Sequence, residues 1–385
     1  MLLSEDHRAV QDAVRAYVQD QIAPQAAAWD KSHHFPKAEL RGLAELGCYG
    51  VAVPTEWDGA GLDYLALAII IEEIAAGDGA TSTVVSVNNC PVCSILMAWA
   101  NDAQKTQWLK PLARGDMLGA FCLTEPHVGS QADGLKTTAV RDGDHYVLNG
   151  VKQFITSGRS GDVAIVMAVT DKAAGKKGIS AFIVPTTTPG YTVARIEDKM
   201  GQHASDTAQI LFENCRVPAA NLLGEEGQGL KIALSGLEGG RIGIASQSVG
   251  MARAAFEAAL KYSKERVAFG KPIFEHQALQ FRLGDMATQI EAARQLIHHA
   301  ASLKDAGVPC LKEAAMAKLF ASEMAERVCS AAIQVFGGYG YVSDFPVERI
   351  YRDVRVCQIY EGTSDVQAKA RKSSMRPLVQ LPKKT

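Results

Sequence analysis

The period of the apolar residues changes twice along this chain, and that limits the folds open to it more than any single motif does. A helix returns apolar side chains to one face every three to four residues and a strand every two, so one element cannot carry both patterns. From Ser4 to about Ala120 the repeat is helical. Val10, Val14, Tyr17 and Val18 fall on one helical face, and Ser4 can cap a first turn made acidic by Glu5 and Asp6. Leu40, Leu43 and Leu46 continue the pattern to Gly47. Leu65 to Ala76 predicts a buried helix ending at Gly77, and Val84 to Ala100 and Ala103 to Leu112 predict two more.

Between about Phe121 and Val217 the signal is extended. Asp142-Gly143 and Asn149-Gly150 are hairpin-type dipeptides around Tyr146-Val147-Leu148, and Val163 to Val169 and Ile179 to Val184 are β-branched runs bounded by Gly and Pro. Tyr191 to Ile196 and Ile210 to Phe212 add two more strands. From Leu230 onward the pattern is helical again, in long proline-free stretches: Ile242 to Arg266, Gln277 to Lys304 and Leu311 to Phe336. At ~1.5 Å per residue each reaches on the order of 40 Å, which suits an antiparallel bundle. The expected fold is α+β in three parts: an N-terminal α-helical domain over 1–120, a middle β-sandwich or barrel domain over 121–229, and a C-terminal helical bundle of four-helix type over 230–385. A chain of 385 residues is long enough for that division.

Composition closes off other classes. Lys and Arg number 40 against 42 Asp and Glu, so no overall excess of positive charge marks a polyanion partner. The eight cysteines sit mostly in apolar stretches, which reads as reduced thiols, not a disulfide framework. Cys90-Pro91-Val92-Cys93 has redox-pair spacing but runs on into a helical stretch instead of following a buried strand. The longest apolar run, Tyr64 to Ile71, stops at Glu72-Glu73, short of the ~20 residues a membrane span needs, and Met1 to Asp6 has no signal-peptide character. A soluble, cytoplasmic protein is expected.

No P-loop, His-Glu-x-x-His or Gly-x-Ser-x-Gly is present, and Gly337-Gly338-Tyr339-Gly340 lacks the spacing of a dinucleotide fingerprint. The adjacent pairs His33-His34 and His298-His299 diverge on a helix and are not expected to bind metal. Three segments stand out. Leu123-Thr124-Glu125-Pro126-His127-Val128-Gly129-Ser130, at the helix-to-strand junction, is either a linker or a loop whose hydroxyls and backbone N–H groups cradle an anion or polar heterocycle. Arg266, at the end of a long helix, can serve the helix dipole or clamp a phosphate. Glu361, in Gln358-Ile359-Tyr360-Glu361-Gly362-Thr363, falls at an expected helix C-terminus, where the dipole disfavours a carboxylate, while Thr363 or Ser364 can cap the next helix. It is either a solvated Glu or, if the site is dry, a general base with a raised pKa.

Together these segments resemble the acyl-CoA dehydrogenase family, over essentially the whole chain. Thr124-Glu125-Pro126 through Ser130 is similar to the family's flavin loop. Asn149-Gly150 through Lys152-Gln153-Phe154-Ile155-Thr156 is similar to its second flavin strand, and Arg266 through Phe269-Gly270-Lys271-Pro272-Ile273 and Gln277 to its dinucleotide clamp. Gln334 through Tyr341 and Tyr360-Glu361-Gly362-Thr363 complete the set. The resemblance implies a homotetramer, a dimer of dimers, that binds FAD, acts on an acyl-CoA and passes electrons to an electron-transfer flavoprotein. Glu361 would be the catalytic base. Cys122, Leu123, Thr124, Ser130, Phe154, Thr156 and Thr363 would meet the flavin half of FAD, and Arg266, Phe269, Gln277, Gln334, Gly337 and Gly338 the adenosine diphosphate half of a neighbour's. Ser130, Glu238, Arg241 and Gly362 would meet the substrate.

The chain departs from the family pattern at Phe154, where Trp is usual, at Gln131 and Glu238, where Asp is usual, and after Asp365, where a basic run replaces an apolar helix. Some relatives carry the base just before the arginine of the first long C-terminal helix, which here is Gly240. Ser86-Val87-Asn88-Asn89 resembles the short-chain, butyryl branch, and Pro91 can kink the helix across the acyl-pocket floor. Two other readings are an acyl-CoA oxidase and, because Lys369, Arg371, Lys372, Arg376, Lys383 and Lys384 face no acid after Val366, a nucleic-acid-binding protein on the same scaffold.

Overall fold

The Tyr64–Gly77 helix is the piece on which the rest assembles. The computed structural model describes residues 3–373, and in it this helix is buried on nearly all sides, as its largely apolar sequence requires, with Glu72 and Glu73 buried against Arg294, Arg253 and Arg15. Its N-terminus is tied down twice. Asp63 accepts from Ala66 N at 2.7 Å, and the Asp305 carboxylate accepts from Tyr64 N and Leu65 N at 2.7 and 3.2 Å. Leu67, Ile70, Ile71 and Ile74 pack into the N-terminal helices, while Leu65, Ala68, Ile69 and Ala75 pack among the long C-terminal ones.

The expected helix over Val84 to Ala100 is broken. Gly79–Val87 and Ser94–Trp99 are separate, joined by an Asn88–Cys93 segment in which Cys90 is extended at φ −140, ψ 114. Pro91 lacks an N–H and crowds the α conformation at residue 90, so helical periodicity continued through a position where the backbone cannot. The buried Asn89 side chain ties the break to the chain at residues 48–51. Asn89 Nδ2 donates to Cys48 O and Val85 O at 2.7 and 2.9 Å, and Asn89 Oδ1 accepts from Val51 N at 2.9 Å.

The middle of the chain forms an eight-stranded sheet from β1 (Gly119–Cys122), β2 (Thr138–Asp142), β3 (His145–Thr156), β4 (Val163–Val169), β5 (Ile179–Pro185), β6 (Tyr191–Ile196), β7 (Thr207–Pro218) and β8 (Leu222–Leu223). The order is β6-β7-β3-β2-β4-β5-β8, with β1 parallel on β4. β4 and β5 are apolar throughout because both their faces are covered. Val163, Ile165, Met167, Ala181 and Ile183 meet Ile95, Leu96 and Leu109 of the helices, while Val166, Phe182 and Val184 meet Tyr146, Leu148, Ile210 and Phe212 of β3 and β7. The sheet thus closes onto itself around its own core. Gly143, at φ 63, makes the expected β2–β3 turn. Asn149-Gly150 does not turn: it lies inside β3 at a register shift against β7. Gly150 is required there by contact, since a Cβ would sit 2.6 Å from Thr137 Cα.

Three long helices follow: Gly229–Glu265, Gln277–Asp305 and Leu311–Phe336, with the Tyr64–Gly77 helix packed among them. The first begins at Gly229, well before Ile242, and runs unbroken through Gly239 and Gly240. Short helices Val347–Val354 and Ser364–Ser373 flank the segment that carries Glu361. Among the described residues no helix is long and apolar enough to cross a membrane.

Candidate active site

Glu361 does not stand at a helix C-terminus as the sequence suggested. The Val347–Val354 helix tightens to a 3₁₀ turn over Arg355–Gln358 and stops, leaving Glu361 in a left-handed turn at φ 52, followed by Gly362 at φ 90. A left-handed conformation costs a side-chain-bearing residue ~1–2 kcal/mol, so the surroundings must impose it. They do so through the two carbonyls. Gln367 Nε2 donates to Glu361 O at 2.9 Å and Gly362 O at 3.0 Å, and the buried Lys318 Nζ donates to Gly362 O at 2.8 Å. Thr363 is the cap of the following helix, its hydroxyl accepting from Val366 N at 3.4 Å and its carbonyl from Gln367 N at 3.0 Å.

The Glu361 side chain projects against Gly240, where a Cβ would lie 2.6 Å from Glu361 Oε2. A carboxylate carried at 240 and one carried at 361 therefore compete for a single space. Glu361 Oε2 is buried without a hydrogen-bond partner. Burial raises its pKa to about 7, against the opposing pull of Arg241 and Lys318. Arg241 is itself 8% exposed, with Nε and Nη1 unpartnered. A proton acceptor with its valence open, beside unsatisfied cationic donors in a water-poor cleft, can remove a proton from an uncharged carbon acid and stabilise the charge that develops.

Behind this turn a buried polar chain crosses all three parts of the fold. Tyr360 OH donates to Gln247 Oε1, Gln247 Nε2 donates to Thr83 Oγ1 at 2.6 Å, and Thr83 Oγ1 donates to Gln202 Oε1 at 2.6 Å. Gln202 N in turn donates to Asp353, whose carboxyl is held up at about 7 by burial despite Arg349. Residues 83, 202 and 360 are thereby fixed relative to one another.

Of the residues expected around a flavin, two groups are brought together. The Thr124 loop leaves β1 and is bound to β3, with Gln153 N donating to Thr124 O at 2.9 Å. Cys122 and Leu123 are buried at its base, and Thr124 and Thr156 are half-buried. Phe154 stands at a β3 irregularity with φ 59 and is 63% exposed, so its ring is available to a ligand. Ser130 is exposed on the same loop. The loop is anchored by an ion pair: Lys152 Nζ donates to Glu125 Oε1 at 2.9 Å and to Leu123 O at 3.1 Å, and the Glu125 carboxylate accepts from Lys136 N and Thr137 N at 2.7 and 3.0 Å. Lys152 and Glu125 are both buried.

The second group lies elsewhere. Arg266, Gly337 and Gly338 line an open hollow of about 620 Å³ with Tyr262 and Phe336, and the Arg266 guanidinium lies 5.9 Å over the Tyr339 ring. Gln334 lines an adjacent hollow with Arg282 and Arg327. Gln277 is exposed and Phe269 is 96% exposed, an unusual state for Phe on a surface that nothing covers.

The remaining expected residues have other partners. Glu238 is engaged by Lys304 Nζ at 3.3 Å and by the Cys310 thiol at 3.2 Å. All eight cysteines are free and buried, and burial raises Cys90 and Cys93 above the ordinary thiol range. Among the described residues one metal-ligand-type group converges: His33, Asp198 and His203. His203 Nδ1 lies 2.8 Å from Asp30 Oδ1 and its Nε2 2.6 Å from Lys199 O. Of the basic tail, Lys369 is exposed; the side chains of Arg371 and Lys372, and all of Arg376, Lys383 and Lys384, lie outside the described residues.

Sequence patterns of the acyl-CoA dehydrogenase N-terminal, middle and C-terminal domains match residues 4–116, 120–215 and 227–373. The mitochondrial short-chain specific acyl-CoA dehydrogenase of Rattus norvegicus is 47% identical over 365 residues, 95% of this chain and 89% of the relative. This chain belongs to the acyl-CoA dehydrogenase family. Among solved structures, butyryl-CoA dehydrogenase from Megasphaera elsdenii superposes with a TM-score of 0.94 at 41% identity, over 97% of this chain and 98% of that one. A chain from work on the electron transferring flavoprotein of Acidaminococcus fermentans superposes with a TM-score of 0.96 at 45% identity, over 98% and 100%. Within this acyl-CoA dehydrogenase fold, sequence reading missed Lys318, Gln367, Gln247 and the Glu125–Lys152 pair. Lys318 had a signal in principle, as a lone cation between Ala317 and Leu319 on an otherwise apolar helical face.

Proposed function

We propose that this acyl-CoA dehydrogenase carries FAD and oxidises a short-chain acyl-CoA to the 2-enoyl-CoA, handing electrons to an electron-transfer flavoprotein. The observation that carries the reading is the buried, unpartnered Glu361 carboxylate against Gly240, with its pKa raised to about 7. The named activities of the rat and Megasphaera relatives supply the substrate class, and the Acidaminococcus neighbour the class of electron acceptor.

The residues fit an extended dinucleotide. Phe154 and the Thr124 loop offer a ring face and hydroxyls, and Thr156, Ser130 and Thr363 add polar contacts. Arg266, Gln277, Gln334 and the Gly337-Gly338 pair offer a cation, amides and backbone that can approach phosphate closely. Phe269, almost fully exposed here, would be covered by a second subunit or its dinucleotide, in keeping with a homotetramer. When bound, FAD supplies a two-electron acceptor for the β-hydride.

The protein's own residues do the remainder. Glu361 takes the α-proton at its free Oε2. The Glu361 backbone N–H is the candidate donor to the thioester oxygen, stabilising the charge that forms as the C–H bond breaks. Arg241, Glu238, Gly362 and Ser130 line the path for the CoA thioester. Working boundaries of 1–120, 121–229 and 230–385 and a cytoplasmic location go with this reading. The test is direct: purified protein, scanned for flavin absorbance, is given butyryl-CoA with an electron-transfer flavoprotein or a dye. Yellow protein and acceptor-dependent crotonyl-CoA are expected. Colourless protein that turns over no acyl-CoA after FAD refolding refutes the reading, and stoichiometric peroxide transfers it to an oxidase.

A further inference from the structure

Lys318 is buried, with no exposed surface, in the middle of the Leu311–Phe336 helix. An ammonium so placed forfeits its hydration, a cost that its partners in the fold must offset. Its hydrogen bond of 2.8 Å to Gly362 O reaches the residue directly after the base and helps impose the turn that aims the Glu361 side chain at Gly240. We propose that Lys318 is a positioning residue for Glu361: it holds the Gly362 carbonyl, and its charge keeps the neighbouring carboxylate in the basic form that catalysis uses. This rests on Glu361 being the base.

The charged and titratable groups around the pair can be named from each side. Arg241 faces both from the Gly229–Glu265 helix, Glu323 faces Lys318 from its own helix, and Cys357 faces it from the 3₁₀ turn. Cys90 faces Glu361 from the broken helix, and Glu238 faces Arg241. Gln367, the other group on the two carbonyls, is neutral and cannot substitute for the charge. Burial lowers Lys318 to about 8, so the ammonium is itself lost on the alkaline side.

Three variants separate charge from packing. Lys318→Met and Lys318→Gln remove the charge, and the Gln retains a donor; Lys318→Arg keeps a charge that does not titrate below pH ~12. The kcat/KM profile with butyryl-CoA should show its acid limb moved up in the Met and Gln variants, since removing a nearby opposite charge disfavours the ionised carboxyl. In Lys318→Arg, which keeps the charge, the acid limb should stay, whatever the loss in kcat. Flavin absorbance and thermal midpoint report folding, and whichever variants fold are scored. An acid limb that stays in place in a folded Met or Gln variant, or one that moves up equally in Lys318→Arg, overturns the proposal and leaves Lys318 a packing residue. Glu361→Gln run alongside keeps the two readings apart: if it remains active the base assignment has failed, and if it is inactive while the Lys318 limbs do not move, only this inference has.

Discussion

Replacing Glu361 by Gln should make the protein more stable, and by an amount that depends on pH in a stated direction. In the fold the carboxyl is raised from 4.5 to about 7, chiefly by burial. In the unfolded chain it titrates at its ordinary value, so between the two the folded state binds more protons. Stability contributed by this group is therefore complete below pH ~4.5 and lost as pH rises through ~7. At 1.36 kcal/mol per unit the shift amounts to about 3 kcal/mol, the cost of holding the ionised base in its dry cleft. Gln has the same shape and no titration. The variant and wild type should thus lie within about 1 kcal/mol of each other at pH 5 and diverge to roughly 3 kcal/mol by pH 8–9, with the Gln protein the more stable.

The assay is a pair of thermal or urea unfolding series from pH 5 to 9, at one protein concentration, without acyl ligand and with flavin loading checked. Asp353 titrates in the same window but is present in both proteins and cancels in the difference. Turnover gives the complementary readout: loss of a general base costs ~10²–10⁴-fold or more, with flavin and ligand binding retained. Parallel stability curves, or a gap that widens toward acid, would refute the reasoning, because either means that Glu361 is not carrying a burial penalty.

Across a series of butyryl-, isobutyryl-, octanoyl- and palmitoyl-CoA, kcat/KM should peak at the four-carbon acyl groups. The Cys90–Pro91 kink meets the Gly236–Gly239 stretch so closely that added Cβ atoms there would lie 2.7 Å from Pro91 Cβ and 2.8 Å from Cys90 Sγ. A methylene that fits gains ~0.8 kcal/mol while one forced on a closed floor costs ~1–3 kcal/mol, so preference for octanoyl or longer would place the floor elsewhere. Lys152→Met should destabilise the protein by ~3–5 kcal/mol by leaving the buried Glu125 carboxylate without the Lys152 ammonium, as denaturant midpoints can check. Gly240→Ala should keep the fold and flavin yet lower kcat, because its Cβ would displace the carboxylate 2.6 Å away; unchanged kcat would mean the carboxylate acts from another position.

What could be read in the sequence was the periodic part. Continuous runs such as residues 65–71 of the Tyr64–Gly77 helix and Val163–Val169 appear as helix and strand because burial on all sides leaves no polar residue to blur them. The failures lie where one contact overrides local pattern. Asn149-Gly150 carries a turn signal, yet its glycine serves the close approach of Thr137. Helical spacing continues through Cys90 although Pro91 ends the helix. At the site, Glu361 stood out by its residue type, but the groups that govern it are distant in sequence and ordinary in isolation. Lys318 and Gln367 become informative only once the 361–362 carbonyls face them. Gln247 does so only once Tyr360 closes onto it.

The glycines of the Gly229–Glu265 helix show why that last gap is physical. Gly in a helix interior costs ~1 kcal/mol relative to Ala, and Gly236, Gly239, Gly240 and Gly243 all lie within this one. Each is met by a different neighbour: Pro91 and Ile95, Cys90, Glu361, and Ser86. The broken 88–93 segment and the Glu361 turn can approach the helix axis only because those side chains are missing. The helix thus gives up intrinsic stability along one ridge to admit the base and the kinked segment together. If the base is carried at 240 instead, as in some relatives, that carboxylate fills the space the Glu361 side chain occupies here, so position 361 must then be small. One cleft accommodates one carboxylate. Which element supplies it follows from which of the two positions is left without a side chain.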